Sequence, residues 1–96
     1  MSFYFHPAAE MEFNDAISYY EGIESRLGFD FSLEVHSAIK RAELMPKAWA
    51  LIDGSVRRSL TARFPYGVLY SQYETGIYIL AVMNLHRQPD YWKYRN

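Results

Sequence analysis

The chain has 96 residues, 50% of them apolar, a formal net charge of −1 and no cysteine. That length suits one domain over residues 1–96, able to bury roughly two-thirds of its unfolded surface, with neither a disulfide framework nor thiolate chemistry. The near-neutral charge argues against a general affinity for nucleic acid.

No apolar run approaches the roughly 20 residues that span a bilayer. The opening MSFYFHPAAE lacks a basic stretch followed by an apolar core, so it does not read as a signal peptide, and a cytoplasmic protein is expected. Nine Tyr, six Phe and two Trp make aromatics the outlier in composition, and Tyr and Trp suit interfaces as well as cores. Charge is split along the chain. Residues 1–30 carry six acids against Arg26 alone, while from Ser55 onward six bases face only Glu74 and Asp90. Such a split fits either a face built for an anionic partner or a solvated helix beside a solvated sheet.

In chain order, SFYF reads as a short aromatic strand stopped at His6-Pro7. Pro7 suits a first helical position, and Glu10 in that turn suits the positive end of the helix dipole. Ala9, Phe13, Ala16, Ile17, Tyr20, Ile23 and Leu27 recur at helical spacing, which leaves Glu12, Asp15 and Glu21 off the stripe. Gly28 is expected to end or hinge this helix. A second stripe, Phe31, Val35, Ala38, Ile39, Ala42 and Met45, follows with Asp30 as its cap and Pro46 as its stop. So short a link predicts an antiparallel helical hairpin.

The pattern then changes to period two. SVRRSLTARF places Val56, Leu60, Ala62 and Phe64 on an apolar face and Arg57, Ser59, Thr61 and Arg63 on a polar one, with Arg58 breaking the parity. Pro65 separates this strand from YGVLYSQY, and Glu74-Thr75-Gly76 turns into IYILAVMNL, apolar enough on both faces for the middle of a sheet. The order is β-α-α-β-β-β with a short C-terminal helical turn around Pro89 to Tyr94. This is an α+β fold, a helical hairpin on one face of a mainly antiparallel twisted sheet.

Chemistry-bearing constellations are few. His6, His36 and His86 lie on different elements without metal-ligand spacing, so neither metal nor cofactor is expected. A glycine-rich phosphate loop, a carboxylate pair in the sheet half and a nucleophile elbow are all missing. What remains is a basic set, Arg57, Arg63 and Arg87, with His86 and Tyr91 nearby and Arg58 and Trp92 flanking it. Guanidiniums at neighbouring strand ends can converge on a phosphate or carboxylate. In a ribonuclease of this kind a ribose 2′-hydroxyl would attack the adjacent phosphate. Arginine would stabilise the transition state, and His86 or Arg87 would protonate the leaving oxygen. Equally, Arg87 could pair with Asp90 or a helix carboxylate while Tyr91 and Trp92 seal one end of the sheet.

The stretches FHPAAEMEF, MPKAW, VRRSLTARFPYGVLY and IYILAVMNLHRQPDYW, in that order, resemble the RelE/ParE superfamily of bacterial type II toxins over about residues 5–95. The most specific pieces are R-R…R-F-P-Y at residues 57–66 and H-R-x-P-x-Y-W at residues 86–92. The resemblance implies the same β-α-α-β-β-β fold. It also implies a cognate antitoxin whose tail folds onto the toxin and masks it, with homodimers or hetero-oligomers formed alongside.

Two activities occur in that superfamily. RelE-like members cleave mRNA on the ribosome with clustered bases and a C-terminal tyrosine, whereas ParE-like members block DNA gyrase. This chain departs from the nuclease pattern at several positions. Tyr66 is followed by Gly67 rather than a base, and the lysines of the preceding strand are reduced to Arg57 and Ser59. Asn84 stands where many relatives carry His, and His86 replaces an Arg. Arg87 matches a functional arginine of the nuclease branch and Tyr91 approximately matches its tyrosine. The departures and the net charge favour a ParE-like, gyrase-directed toxin. The alternatives are a ribosome-dependent endonuclease using Arg57, Arg63, His86, Arg87 and Tyr91, and a weakly toxic or inactive antitoxin-binding member. In every case Arg57, Arg58, Arg63, Arg87, Tyr91 and Trp92 are the expected partner-binding residues.

Overall fold

His6 and Pro7 convert strand to helix within one peptide unit. In the computed structural model, which describes residues 2–95, β1 (Ser2–Phe5) ends as the His6 backbone N–H donates to Ile79, 2.8 Å away. The His6 ring nitrogen Nδ1 then accepts the Ala8 N–H at 3.0 Å, capping α1 (Pro7–Ile23). Ala9, Phe13 and Ala16 on α1, with Phe31, Val35, Ala38, Ile39 and Ala42 on α2 (Leu27–Leu44), form the buried faces that the spacing predicts. Ile23 and Met45, at the ends of those stripes, stand exposed.

The link between the helices differs from expectation in two ways. Asp30 does not cap α2. Arg26, in the left-handed region at φ 74°, occupies the cap position, and the free N–H groups of Arg26 and Gly28 are taken by the Glu21 carboxylate of α1 at 2.8 and 3.0 Å. Gly28 neither ends nor hinges α1. It lies in the first turn of α2 where the helices touch, and a Cβ there would run into the Ile17 carbonyl oxygen.

The remaining strands are β2 (Leu51–Asp53), β3 (Val56–Leu60), β4 (Tyr66–Tyr73) and β5 (Gly76–Asn84), in the sheet order β1-β5-β4-β3-β2. β2 was not expected from the sequence; it is a three-residue edge strand against β3. The meander is antiparallel, and β1 adds to β5 in parallel. No described helix is long and apolar enough to cross a membrane.

Both sheet faces are covered. Tyr66, Val68, Tyr70, Ile77, Ile79 and Val82 pack under the helices, while Val56, Leu69, Leu80, Met83 and Trp92 form a second cluster on the far side. The C-terminal segment supplies that cover through successive i→i+3 turns, Lys93 to Asp90 and Arg95 to Trp92. Tyr70 is buried with its hydroxyl donating to Pro46 at 2.8 Å, and burial pushes its pKa up to about 12.

This corrects the expected facing of β3. Arg57 and Ser59 do share one side, but it is the helix side: the buried Ser59 hydroxyl donates to Ala38 of α2 at 3.0 Å. Val56 and Leu60 take the far side, where Leu60 is 46% exposed. The strand stops at Leu60, so Phe64 reaches the helix-side core from a loop with its own geometry.

Two measurements probe the hairpin. Gly28→Ala should lose about 2 kcal/mol in urea unfolding, because its methyl group has backbone against it. Gly22→Ala, where nothing lies within 4 Å, should gain about 0.5 kcal/mol from helix propensity.

The bonds from Arg26 first, and then Gly28, also hold the Glu21 carboxyl below its ordinary value of 4.5. A lowered folded pKa contributes stability that is present above the unfolded value and lost as pH falls through the folded one. Glu21→Gln should therefore unfold more easily than the parent at neutral pH, with the two curves converging once pH drops well below 4.5. A gap that stays constant in acid would assign the loss to packing instead.

Candidate partner-binding cleft

β1 stops at Phe5, opposite Ile79, but β5 runs on to Asn84. Beyond Ile79 one side of β5 therefore has no neighbouring strand among the described residues. A bulge begins there: Leu69 pairs with Ala81 and Tyr70 with Ile79, leaving Leu80 as the extra residue.

Side chains satisfy the exposed backbone. The Val82 N–H donates to Glu12 Oε1 at 3.1 Å, and the Leu80 carbonyl accepts from Arg95 Nη1 at 3.0 Å. Arg95 and Glu12 are themselves joined by two bonds of 2.9 Å, and their side chains are only 15% and 14% exposed. This fork raises the Arg95 pKa and keeps the guanidinium charged.

Tyr91 packs against the same fork. The Arg87 guanidinium lies 3.8 Å from its ring centroid and that of Arg95 lies 5.0 Å away. The Tyr91 hydroxyl is buried beside Glu12, outside good hydrogen-bond geometry. Burial first, and the Glu12 carboxylate second, push its ionisation well above the ordinary tyrosine value. Arg87 reaches Glu12 Oε2 at 3.7 Å and remains 56% exposed.

Between α1 and the C-terminal segment these groups border a cleft of about 270 Å³, with Glu12, Asp15, Tyr19, Tyr66, Arg87 and Tyr91 on its walls and Ala16, Val82 and Asn84 beneath. One guanidinium thus meets two carboxylates and three phenol rings. Burial and Glu12 push Tyr91 further from ionisation, so it has little capacity as a base, and no histidine lines the cleft among the described residues.

The structure does not gather Arg57, Arg63 and Arg87 into one cluster. Arg57 donates to the Trp49 carbonyl at 2.6 Å beneath the helix side of β3. Arg63 pairs with Asp30 at 3.5 Å, beside the first turn of α2, with its guanidinium over Phe64. Each of these three arginines finds a separate acceptor on a different element; of the expected set, Arg87 and Tyr91 come together at the cleft, and Arg58 and Trp92 share a separate groove on the far face. His86 is exposed on the loop after β5, its backbone N–H bound by Asn84 Oδ1 at 2.9 Å. Arg58 lies on the far face, its aliphatic stem against Gly67, in a groove with Met83 and Trp92. Trp92, expected at a partner surface, is 4% exposed and donates its indole N–H to Pro89 at 2.7 Å. It is a seal, as its apolar bulk favours.

Sequence reasoning missed Glu12, Asp15, Tyr19 and Tyr66 as cleft residues. The first three fall at a helical spacing of 12, 15 and 19, a second stripe beside the core stripe.

No protein-family model matches the chain, and no curated protein is similar to it in sequence. Among solved structures, a chain from the chromosomal ParDE TA system of P. aeruginosa superimposes with a TM-score of 0.76, covering 88% of this chain and 96% of that one at 15% identity. The two share a fold. It is the α+β arrangement that the sequence resemblance implies, with the added β2.

The fork carries measurable weight. Glu12→Ala should cost about 3 kcal/mol in chemical denaturation, since it strands a largely buried guanidinium and the Val82 N–H. The double mutant Glu12→Ala/Arg95→Ala should lose less than the sum of the single losses by at least about 1 kcal/mol.

Proposed function

We propose that this protein is the toxin of a type II toxin–antitoxin module, of the ParE-like branch, that it inhibits DNA gyrase by binding, and that a cognate antitoxin neutralises it. The observation that carries this reading is the charge of the cleft. A ribonuclease needs several cations around the phosphate it cleaves, to balance charge that grows in the transition state. Here Arg57 and Arg63 are engaged elsewhere by a carbonyl and a carboxylate, Arg95 is bound by Glu12 at the cleft's border, and among the described residues Arg87 is the one base lining the cleft, beside Glu12 and Asp15. Tyrosine-lined walls with polar tips suit a protein surface better than a phosphate chain. The shared fold with a ParDE chain supports the same branch.

Expression of the chain alone should arrest growth, with relaxed plasmid and no codon-linked cuts in a reporter message by primer extension. Arg87→Ala should stay within about 1 kcal/mol of the parent in stability, since its guanidinium is more than half exposed and Glu12 keeps its bonds to Arg95. The same variant should weaken inhibition of purified gyrase at least about tenfold, the scale of a central interface arginine. Cuts in the message that disappear with Arg87→Ala would make the protein a nuclease. Growth unaffected by well-folded chain would leave only an antitoxin-binding role.

A further inference from the structure

We propose that two copies of this chain pair through the outer edge of β1, forming a reversible two-fold dimer in which the two sheets run on as one. The inference stands apart from the toxin reading, and the residues it uses do not line the cleft.

β1 is an edge strand with β5 on one side only. The N–H groups of Ser2 and His6 go to Thr75 and Ile79, so the alternation along the strand turns the N–H and carbonyl groups of Phe3 and Phe5 outward. Those groups have no partner among the described residues. Sheet edges are ordinarily blunted by charge, proline or a bulge. The other outer strand, β2, follows that rule, with Asp53 near Lys93 and a break in register. β1 is uncharged, regular and aromatic.

The sequence of this edge is its own mate. An antiparallel pair centred on Tyr4 sets Phe3 of each copy opposite Phe5 of the other. The outward groups then close two backbone bonds in each of those two facing pairs, four in all. Tyr4 stands against its counterpart on the far face, at a position where facing side chains lie closest. Its ring is 49% exposed and has area to bury there, as do the half-buried rings of Phe3 and Phe5.

The groove beside this edge accepts the same occupant. It is open, about 580 Å³ in volume, and runs between β1 and α2, with Phe3, Leu33 and Ile39 as apolar lining and Lys40 and Glu43 among its polar residues. A second strand on β1 brings its own phenyl rings to that space. Lys40 and Glu43 are in no ion pair among the described residues. Each copy thus offers one cation and one carboxylate, and the two-fold axis turns the α2 helices antiparallel, so the charges of one groove complement those of the other. The α1 surface suits a second copy less well, since that helix holds four acids and no base. An edge of four residues buries less than the roughly 800 Å² per partner of a lasting dimer, so the pair forms and parts with concentration.

The test uses the full chain, followed by sedimentation and nuclear magnetic resonance from about 1 μM to about 1 mM, the range of weak association. The average mass should rise from one chain to two and stop there, while the amide protons of Phe3 and Phe5 exchange more slowly as concentration rises. Tyr4→Lys, which sets two ammonium groups together at the axis, should weaken association at least about tenfold and leave the folded spectrum in place. Lys40→Glu should weaken it as well, and adding Glu43→Lys to that variant should restore it.

A mass that stays at one chain throughout the range would overturn the proposal, as would growth past two chains into open-ended assemblies. So would a dimer indifferent to both Tyr4→Lys and Lys40→Glu, or concentration-dependent shifts confined to β2 or to the cleft.

Discussion

One carboxylate decides how the two ends of this chain meet. Glu12 sits next to Phe13, which is in the core, yet its side chain extends over the end of β1 and into the space where a longer strand would have continued. A desolvated carboxylate there is tolerable because it receives two guanidinium N–H groups and one backbone N–H, and an unpaired one would not be. Through it α1, β5 and the C-terminal segment become a single unit. The bulge at Leu80 belongs to the same arrangement, since it places a carbonyl where Arg95 takes it. Tyr91 and Arg87 then have fixed neighbours. The cleft exists because β1 is four residues long and β5 is nine.

The split of charge along the sequence is resolved inside the molecule. Acids of the first thirty residues meet bases of the last forty, as Glu12 with Arg87 and Arg95 and as Asp30 with Arg63. These contacts are unequal. Arg63 and Asp30 are 59% and 41% exposed, so solvent screens their attraction. Glu34 holds the same loop more directly, accepting the Ala62 N–H at 2.8 Å and that of Arg63 at 3.3 Å. Glu21 does for α2 what Glu34 does for the loop, so three helix carboxylates secure backbone belonging to another element.

The helices were legible because their buried stripes follow a period of 3.6 and both are long. Strand parity was legible too, since Arg57 and Ser59 do share a face. Which face was covered could not be read, because alternation is symmetric and the far side of the sheet is buried as well, under Trp92. A polar residue on such a sheet looks solvated in the sequence, yet Ser59 is fully buried on a helix carbonyl and Arg57 spends its guanidinium on Trp49. At the cleft, Arg87 and Tyr91 were legible as neighbours across a short turn. Glu12 was not, since it falls off the apolar stripe like any solvated acid. Only the mismatch in length between β1 and β5 gives it a task, and that mismatch appears once the two are paired.

The way the arginines are spent bears on what the surface can hold. Affinity for a polyanion grows with the number of phosphates neutralised, because each contact releases counterions. A chain that commits Arg57 to a carbonyl, Arg63 to Asp30 and Arg95 to Glu12 keeps little of that driving force at its cleft. The same contacts build the cleft: Arg95 ties the C-terminal segment to Glu12 and Leu80, and Tyr91 and Arg87 stand beside α1. The groove therefore carries phenol rings, one lining guanidinium and mixed rather than uniformly positive charge. These features of the cleft follow from satisfying one bare stretch of β5.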